Sequence, residues 1–234
     1  MLTSPEKTYY SEHPTFHVAV DCIIFGFDQG ELKLLIHKRR FEPQLGQWSL
    51  FGGFVQENES LDEAANRVLY ELTGLRHIYM EELQSYGDLE RDPAARVISV
   101  AYFALIPAKE YSEATSSDHG ATWVGLKELP DFIMDHNQMV EKGLRRLKRR
   151  ASTQPIGFEL LPREFTMPQL QALYEAIYQC ELDKRNFRKK ILAMDVLIKL
   201  DQKDMSGSRK GAFLYRFDPH KYQKLVDGGD NFTI

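Results

Sequence analysis

One run of spaced residues constrains this chain more than any bulk property. Gly53 is followed after five residues by Glu59, and Glu59 after seven by Arg67. From there the chain reads Arg67-Val68-Leu69-Tyr70-Glu71-Leu72-Thr73-Gly74-Leu75. Ser60 can cap a helix, Glu63 stands three residues on as a capping box requires, and Ala64, Ala65, Val68, Leu69 and Leu72 form an apolar stripe. Gly74 falls where a left-handed glycine ends a helix. This helix sits among segments that read as strands: residues 16–27, a turn at Asp28-Gln29-Gly30, a hairpin partner at 32–38, then 79–86, 97–105 and 122–124. Residues 41–53, with Pro43, Gly46, Trp48, Gly52 and Gly53, read as loop. Strands on both sides of a helix predict an α/β or α+β sandwich rather than a helix bundle.

Charge divides the chain. Residues 1–141 carry 11 basic and 23 acidic groups, a balance of −12, whereas residues 142–234 carry 19 basic and 11 acidic, a balance of +8. Such an asymmetry points to an acidic domain joined to one that meets a polyanion. A helix predicted at 137–150 ends in Lys142, Arg145, Arg146, Lys148, Arg149 and Arg150, and the break at 151–155 marks the expected boundary between domains 1–152 and 153–234. Beyond it, Thr166 caps a helix with Pro168 in its first turn and Leu170, Leu173, Ile177 and Tyr178 on one face. Asp183 caps a second helix running to about residue 196. A hairpin follows, with strands at 198–200 and 212–217 and a polar tip at 203–211. The longest apolar stretch, residues 97–107, is about half of what a membrane helix needs. Cys22 and Cys180 lie too far apart for a metal-type spacing. A cytoplasmic protein with reduced thiols is expected.

The spaced run resembles the Nudix box, G-x5-E-x7-R-E-U-x-E-E-x-G-U with U a bulky aliphatic. The framework matches at Gly53, Glu59, Arg67, Leu69, Glu71, Gly74 and Leu75. The resemblance implies a Nudix-like α/β/α sandwich. Hydrolases of that family hold Mg²⁺ against a diphosphate with carboxylates at the positions here occupied by Val68, Glu71 and Leu72, which share a helix face. Two of the three are aliphatic. The expectation is therefore no metal, no cofactor and no catalytic residue, and a cleft that binds a small polar effector. Candidate effector contacts are Asp21, inside an otherwise apolar strand, Lys38 and Arg39 at a strand end, and Glu42 after it. Asp88, Asp92 and Arg96 join them from a polar loop that also holds Arg91.

On the helix beginning at Asp183, Lys184, Arg185, Arg188 and Lys189 oppose Phe187, Ile191 and Met194. An apolar back and a basic front suit a recognition helix in the major groove. Arg209 and Lys210 at the hairpin tip add two cations. Phosphate contacts would set register, with Arg185 or Arg188 and Asn186 reading bases, and Lys148, Arg149 and Arg150 adding phosphate contacts. Helix, turn, basic helix and basic hairpin resemble a winged helix-turn-helix. Over nearly its whole length the chain resembles bacterial Nudix-related transcriptional regulators (NrtR-like). Residues 21–27, 48–55 and 183–189 look like the arabinose-responsive branch, AraR. The resemblance implies a homodimer on palindromic double-stranded operator DNA, released by a pentose such as L-arabinose. The alternatives are an ADP-ribose-sensing regulator of NAD metabolism, an active Nudix hydrolase with an accessory domain, and a constitutive repressor.

Overall fold

The computed structural model describes residues 11–111, 120–206 and 210–228. The chain forms a mixed sandwich followed by a winged helix-turn-helix. The sandwich is built on β1 (His17–Asp28), β2 (Glu31–Lys38), β3 (Trp48–Ser49), β4 (Phe51–Phe54), β5 (Glu81–Tyr86), β6 (Val97–Pro107) and β7 (Ala121–Gly125). The sheet runs β3-β2-β1-β6-β5, with β4 paired to β1 and β7 to β2. β1 and β6 run parallel from His17 opposite Val97 to Phe27 opposite Pro107, and the other pairings are antiparallel.

Helices cover both faces of the sheet, so β1 is apolar along nearly its whole length rather than alternating with polar residues. The period of two then sorts its side chains. Val20, Cys22 and Ile24 join Ala64, Ala65, Val68 and Leu69 of α1 (Leu61–Thr73) in one cluster. Ile23 and Phe25 point the other way, to Met139 and Leu147 of α2 (His136–Thr153). Asp21 shares this second face. Helix α1 has the expected ends: Ser60 and Glu63 form both halves of a capping box, and Gly74 closes the helix at φ 76° with its N–H donating to the Tyr70 carbonyl.

The second unit comprises β8 (Phe165–Thr166), α3 (Met167–Tyr178), α4 (Lys184–Ala193), β9 (Leu197–Asp204), β10 (Ala212–Phe217) and α5 (Pro219–Asp227), with sheet order β8-β10-β9. Thr166 and Gln169 form a capping box on α3, and the Asp183 carboxylate accepts from the Asn186 N–H at 2.8 Å to start α4. Phe187 and Ile191 of α4 are buried against Tyr174 and Ile177 of α3.

Three expectations need correction. Residues 41–53 are not all loop: β3 and most of β4 lie within them, and the glycine pair of β4 hides its strand propensity in sequence. The strand placed at 79–86 begins only at Glu81. The helix expected to stop at residue 150 runs three residues further, into the break expected at 151–155. α2 continues to Thr153, and Leu147 and Ala151 belong to the same apolar cluster as Phe158, Leu160 and Leu170. The hairpin-tip cation Arg209 lies outside the described residues. Among the described residues no helix is long and apolar enough to cross a membrane.

Candidate functional site

The box residues form a rigid corner. Arg67 of α1 donates from Nε and Nη2 to the two oxygens of Glu59, at 2.8 and 2.6 Å, and from Nη1 to Glu71 at 3.1 Å. Its Nη2 also reaches the Phe54 carbonyl at 2.9 Å, so the loop after β4 is tied to the helix. The Arg67 hydrogen bonds hold the Glu59 carboxyl down at about 2. Val68 is 2% exposed and fills the space beneath Gly53, where a Cβ would come within 2.7 Å of its Cγ2. Burying such a side chain stabilises by about 1.5–3 kcal/mol, whereas an unpaired carboxylate there would cost several kcal/mol. Leu72 is half-buried and packs on the same cluster. Both acidic groups left in the box, Glu59 and Glu71, are engaged by one arginine. Among the described residues no three His, Cys, Asp or Glu side chains converge where they could hold a metal ion. The divalent-metal site of the fold does not fit this chain.

Beside that corner a narrow cleft of about 50 Å³ opens between β1, β4, the segment after β2 and the loop before β6. Ala19, Asp21, Arg39, Phe41, Asp92 and His136 are among its lining residues. At its base lies a buried ionic cluster. Asp21 accepts from Ser99 Oγ at 2.6 Å and pairs with Arg91 at 3.5 Å. Arg91 in turn donates to both oxygens of Asp135, at 2.9 and 2.8 Å. Burial works against the Arg91 charge, but the Asp135 hydrogen bonds and the Asp21 charge outweigh it and raise the guanidinium above its ordinary value. His136, the first residue of α2, places Nε2 3.5 Å from Asp21 Oδ1. The Leu50 N–H donates to His136 Nδ1 at 3.1 Å, which assigns the His136 proton to Nε2. The Leu50 carbonyl oxygen lies 3.1 Å from His37 Nε2, placing the backbone of one residue between two imidazoles. Burial pulls both histidines below the usual imidazole range.

Of the expected effector residues, Asp21, Arg39 and Asp92 come together in the cleft. Arg39 is half-buried, stacks 4.0 Å above the Phe41 ring centroid and donates from Nε to the Phe41 carbonyl at 3.2 Å. Burial lowers its pKa, while Asp92, Asp21 and Glu42 oppose that shift through their charges. Four candidates lie outside the cleft lining. Lys38 is exposed over the Trp48 ring at 5.2 Å, and Glu42 is exposed. Arg96 donates to the carbonyls of Gly87 and Asp88 at 2.9 and 2.8 Å, a brace across the loop before β6. Sequence reasoning missed Asp135 and His136 as members of the cluster. No local pattern marks them, since their role depends on a helix start meeting Asp21 114 and 115 residues earlier. A larger concavity of about 570 Å³ between the β1–β2 turn and the winged helix has mainly apolar walls such as Phe27, Leu160 and Leu161. It lacks the convergence of charged groups seen in the smaller cleft, which is therefore the better site.

The basic surface is built differently. Lys184, Arg185, Asn186, Arg188 and Lys189 on α4 are all exposed, with Lys190 beside them and Phe187 and Ile191 turned into the core. Arg188 Nη2 reaches the Tyr215 hydroxyl at 3.5 Å, linking the helix to β10. In the wing, the ammonium groups of Lys199 and Lys203 lie 3.8 and 4.7 Å from the Phe213 ring centroid, and Lys210 is exposed at the turn. Arg150, expected as a phosphate contact, instead joins Arg146 in clamping Glu81, with Arg146 Nη1 at 2.9 Å. These two guanidiniums are committed to holding α2 against β5.

Comparison with known proteins gives this geometry its context. Residues 15–143 match the model of the NUDIX domain, and residues 157–217 match that of the NrtR DNA-binding winged helix domain. The ADPR responsive transcriptional repressor NtrR of Acinetobacter baylyi is 34% identical over 216 residues, covering 91% of this chain and 86% of that protein. The crystal structure of Shewanella oneidensis NrtR complexed with a 27mer DNA superposes with a TM-score of 0.74 at 29% identity, covering 88% of this chain and 95% of that one. The NUDIX domain of the same protein complexed with ADP ribose gives a TM-score of 0.51 at 30% identity, covering 60% of this chain and 98% of that one. These relatives overturn the expectation of L-arabinose or another pentose as effector. The likeness to an arabinose-responsive branch rested on three short segments, whereas the ADPR responsive repressor aligns along 91% of this chain. With a NUDIX domain leading into an NrtR-type winged helix, and with an ADPR responsive repressor aligned along nine-tenths of its length, the chain belongs to the NrtR family of Nudix–winged-helix proteins.

Proposed function

We propose that this protein is a transcriptional repressor whose Nudix domain senses ADP-ribose without hydrolysing it, and whose winged helix binds operator DNA. The observation that carries the reading is the exchange at the box corner: Val68 is buried where a metal-holding carboxylate belongs, while the neighbouring cleft keeps its charged and aromatic lining. A site that cannot gather divalent cations lacks the means to neutralise developing charge and activate water, yet it retains the features of a binding site. Phe41 and Phe54 offer aromatic surface at its mouth, and the Asp92 carboxylate can accept from sugar hydroxyls.

Regulation requires the effector to bind two arrangements of the protein unequally. The cleft of about 50 Å³ is far smaller than the roughly 300–1,000 Å³ of ordinary ligand pockets. ADP-ribose therefore enters only if the segment after β2 and the loop before β6 part. The second carries Arg91, whose partner Asp135 immediately precedes α2. Opening the cleft pulls on a helix whose far end lies in the core of the winged helix. In a two-fold dimer with recognition helices about one DNA turn, ~34 Å, apart, a small rotation of each α2 spoils that spacing.

Fluorescence anisotropy with duplex DNA from upstream of its own gene tests this. ADP-ribose is expected to raise the Kd for DNA, and AMP to do so much less. Two results defeat the reading: DNA affinity indifferent to ADP-ribose, or Mg²⁺-dependent cleavage of ADP-ribose at about 1 s⁻¹ or faster, the ordinary range of enzymes.

A further inference from the structure

We infer that Arg39 performs as a fixed cation of the chain the charge neutralisation that bound metals perform in hydrolases of this fold, so that diphosphate capture here is metal-independent. The inference rests on the effector reading above. A diphosphate bridge carries two negative charges into a partly desolvated cleft, and these need a positive partner. No cage for divalent cations is available. Val68 and Leu72 replace carboxylates, Glu59 and Glu71 are both bound to Arg67, and no donor cluster forms elsewhere among the described residues.

Two arginines line the cleft, and they differ in what remains free. Arg91 has only Nη1 uncommitted among the described residues: Nε and Nη2 hold Asp135 in a fork, and Nη2 also faces Asp21. Diverting it to a ligand would strand two buried carboxylates. Arg39 uses only Nε, on the Phe41 carbonyl, and stacks its plane on the Phe41 ring. It makes no ion pair among the described residues, although Asp92, Asp21 and Glu42 lie close enough to influence it. Both terminal nitrogens of a pre-oriented, half-buried guanidinium are thus left for an incoming oxyanion. Two parallel N–H donors match two phosphate oxygens, a geometry that lysine cannot copy. Packing on Phe41 fixes the fork before the ligand arrives, which lowers the ordering cost of binding.

Calorimetric titration of the full-length protein with ADP-ribose and with adenosine, each in EDTA and in excess Mg²⁺, tests the inference. For the wild type, ADP-ribose affinity is expected to be the same with and without Mg²⁺. Arg39→Ala should weaken ADP-ribose about 10- to 100-fold and leave adenosine unchanged, with Arg39→Lys in between. ADP-ribose binding that needs Mg²⁺ overturns the inference, and that arm requires no variant. An equal loss of adenosine and ADP-ribose in Arg39→Ala also overturns it, by revealing a role in cleft shape alone. Wild type that binds no ADP-ribose at all fails the effector reading itself. Binding that survives Arg39→Ala fails only the arginine grip.

Discussion

The two charged regions of this molecule follow opposite rules. At the base of the cleft, buried Asp21, Arg91 and His136 and largely covered Asp135 satisfy one another, with the Arg91 side chain 3% exposed. On α4, five cations stand in solvent at Lys184, Arg185, Arg188, Lys189 and Lys190. A buried cluster gains little from its own pairing, because desolvation consumes most of the Coulombic attraction. It loses heavily when one member goes. An exposed cationic face is nearly neutral for stability and reserves its charge for a partner. One region fixes a geometry and the other waits for a polyanion.

That contrast can be broken experimentally. Arg91→Met leaves Asp21 and Asp135 buried without their cation, and denaturant unfolding should show a loss of about 3–5 kcal/mol. A loss below about 1 kcal/mol would put the cluster in the same class as the surface charges. Arg188→Ala should leave the unfolding curve in place and cost about 1–3 kcal/mol in operator binding, with relaxed sequence preference in a competition assay. Lys184→Ala should weaken binding evenly across sequences and flatten the slope of log K against log salt by ~0.9, the signature of one lost phosphate contact.

The smallest effect concerns pH. The folded-state pKa of His136 lies below the ordinary value of 6.5, chiefly through burial, and His37 shifts the same way. Below pH 6.5 the unfolded chain binds these protons more readily than the folded one. Stability contributed by the neutral imidazoles is therefore complete above that pH and declines as pH falls. His136→Asn keeps an acceptor for the Leu50 N–H and removes the titration, so its unfolding free energy should depend less on pH on the acid side. An unchanged pH dependence in this variant would show that the His136 shift is immaterial.

The same contrast explains what could be read from the sequence. The features that were legible are local in sequence: the Ser60–Glu63 and Thr166–Gln169 caps, the left-handed Gly74 and the basic front of α4 each depend on residues within one or two turns. The replaced carboxylates at Val68 and Leu72 were equally legible, because the resemblance to the Nudix box implies acidic residues at those positions. The buried cluster was not. Asp21 was noticeable as a charge inside an apolar strand, but Asp135 and His136 gain their meaning only when the start of α2 meets β1. Arg150 was misjudged because its partner, Glu81, lies on a strand 69 residues away. β4 escaped because Gly52 and Gly53 suppress the pattern of a strand whose register is imposed by β1, and β3 because two residues paired to β2 carry no pattern at all.

The apolar cluster that runs from Ile23 and Phe25 through Leu147 and Ala151 to Phe158, Leu170 and Tyr174 has a thermodynamic consequence. The two halves are expected to melt together, because each supplies part of the other's interior. Cooperative units follow contiguous buried contacts rather than sequence boundaries. An amputated winged helix would leave the flank that normally meets Leu147 and Ala151 open to water. Any ligand that tightens the sandwich consequently raises the melting point of the half it never touches.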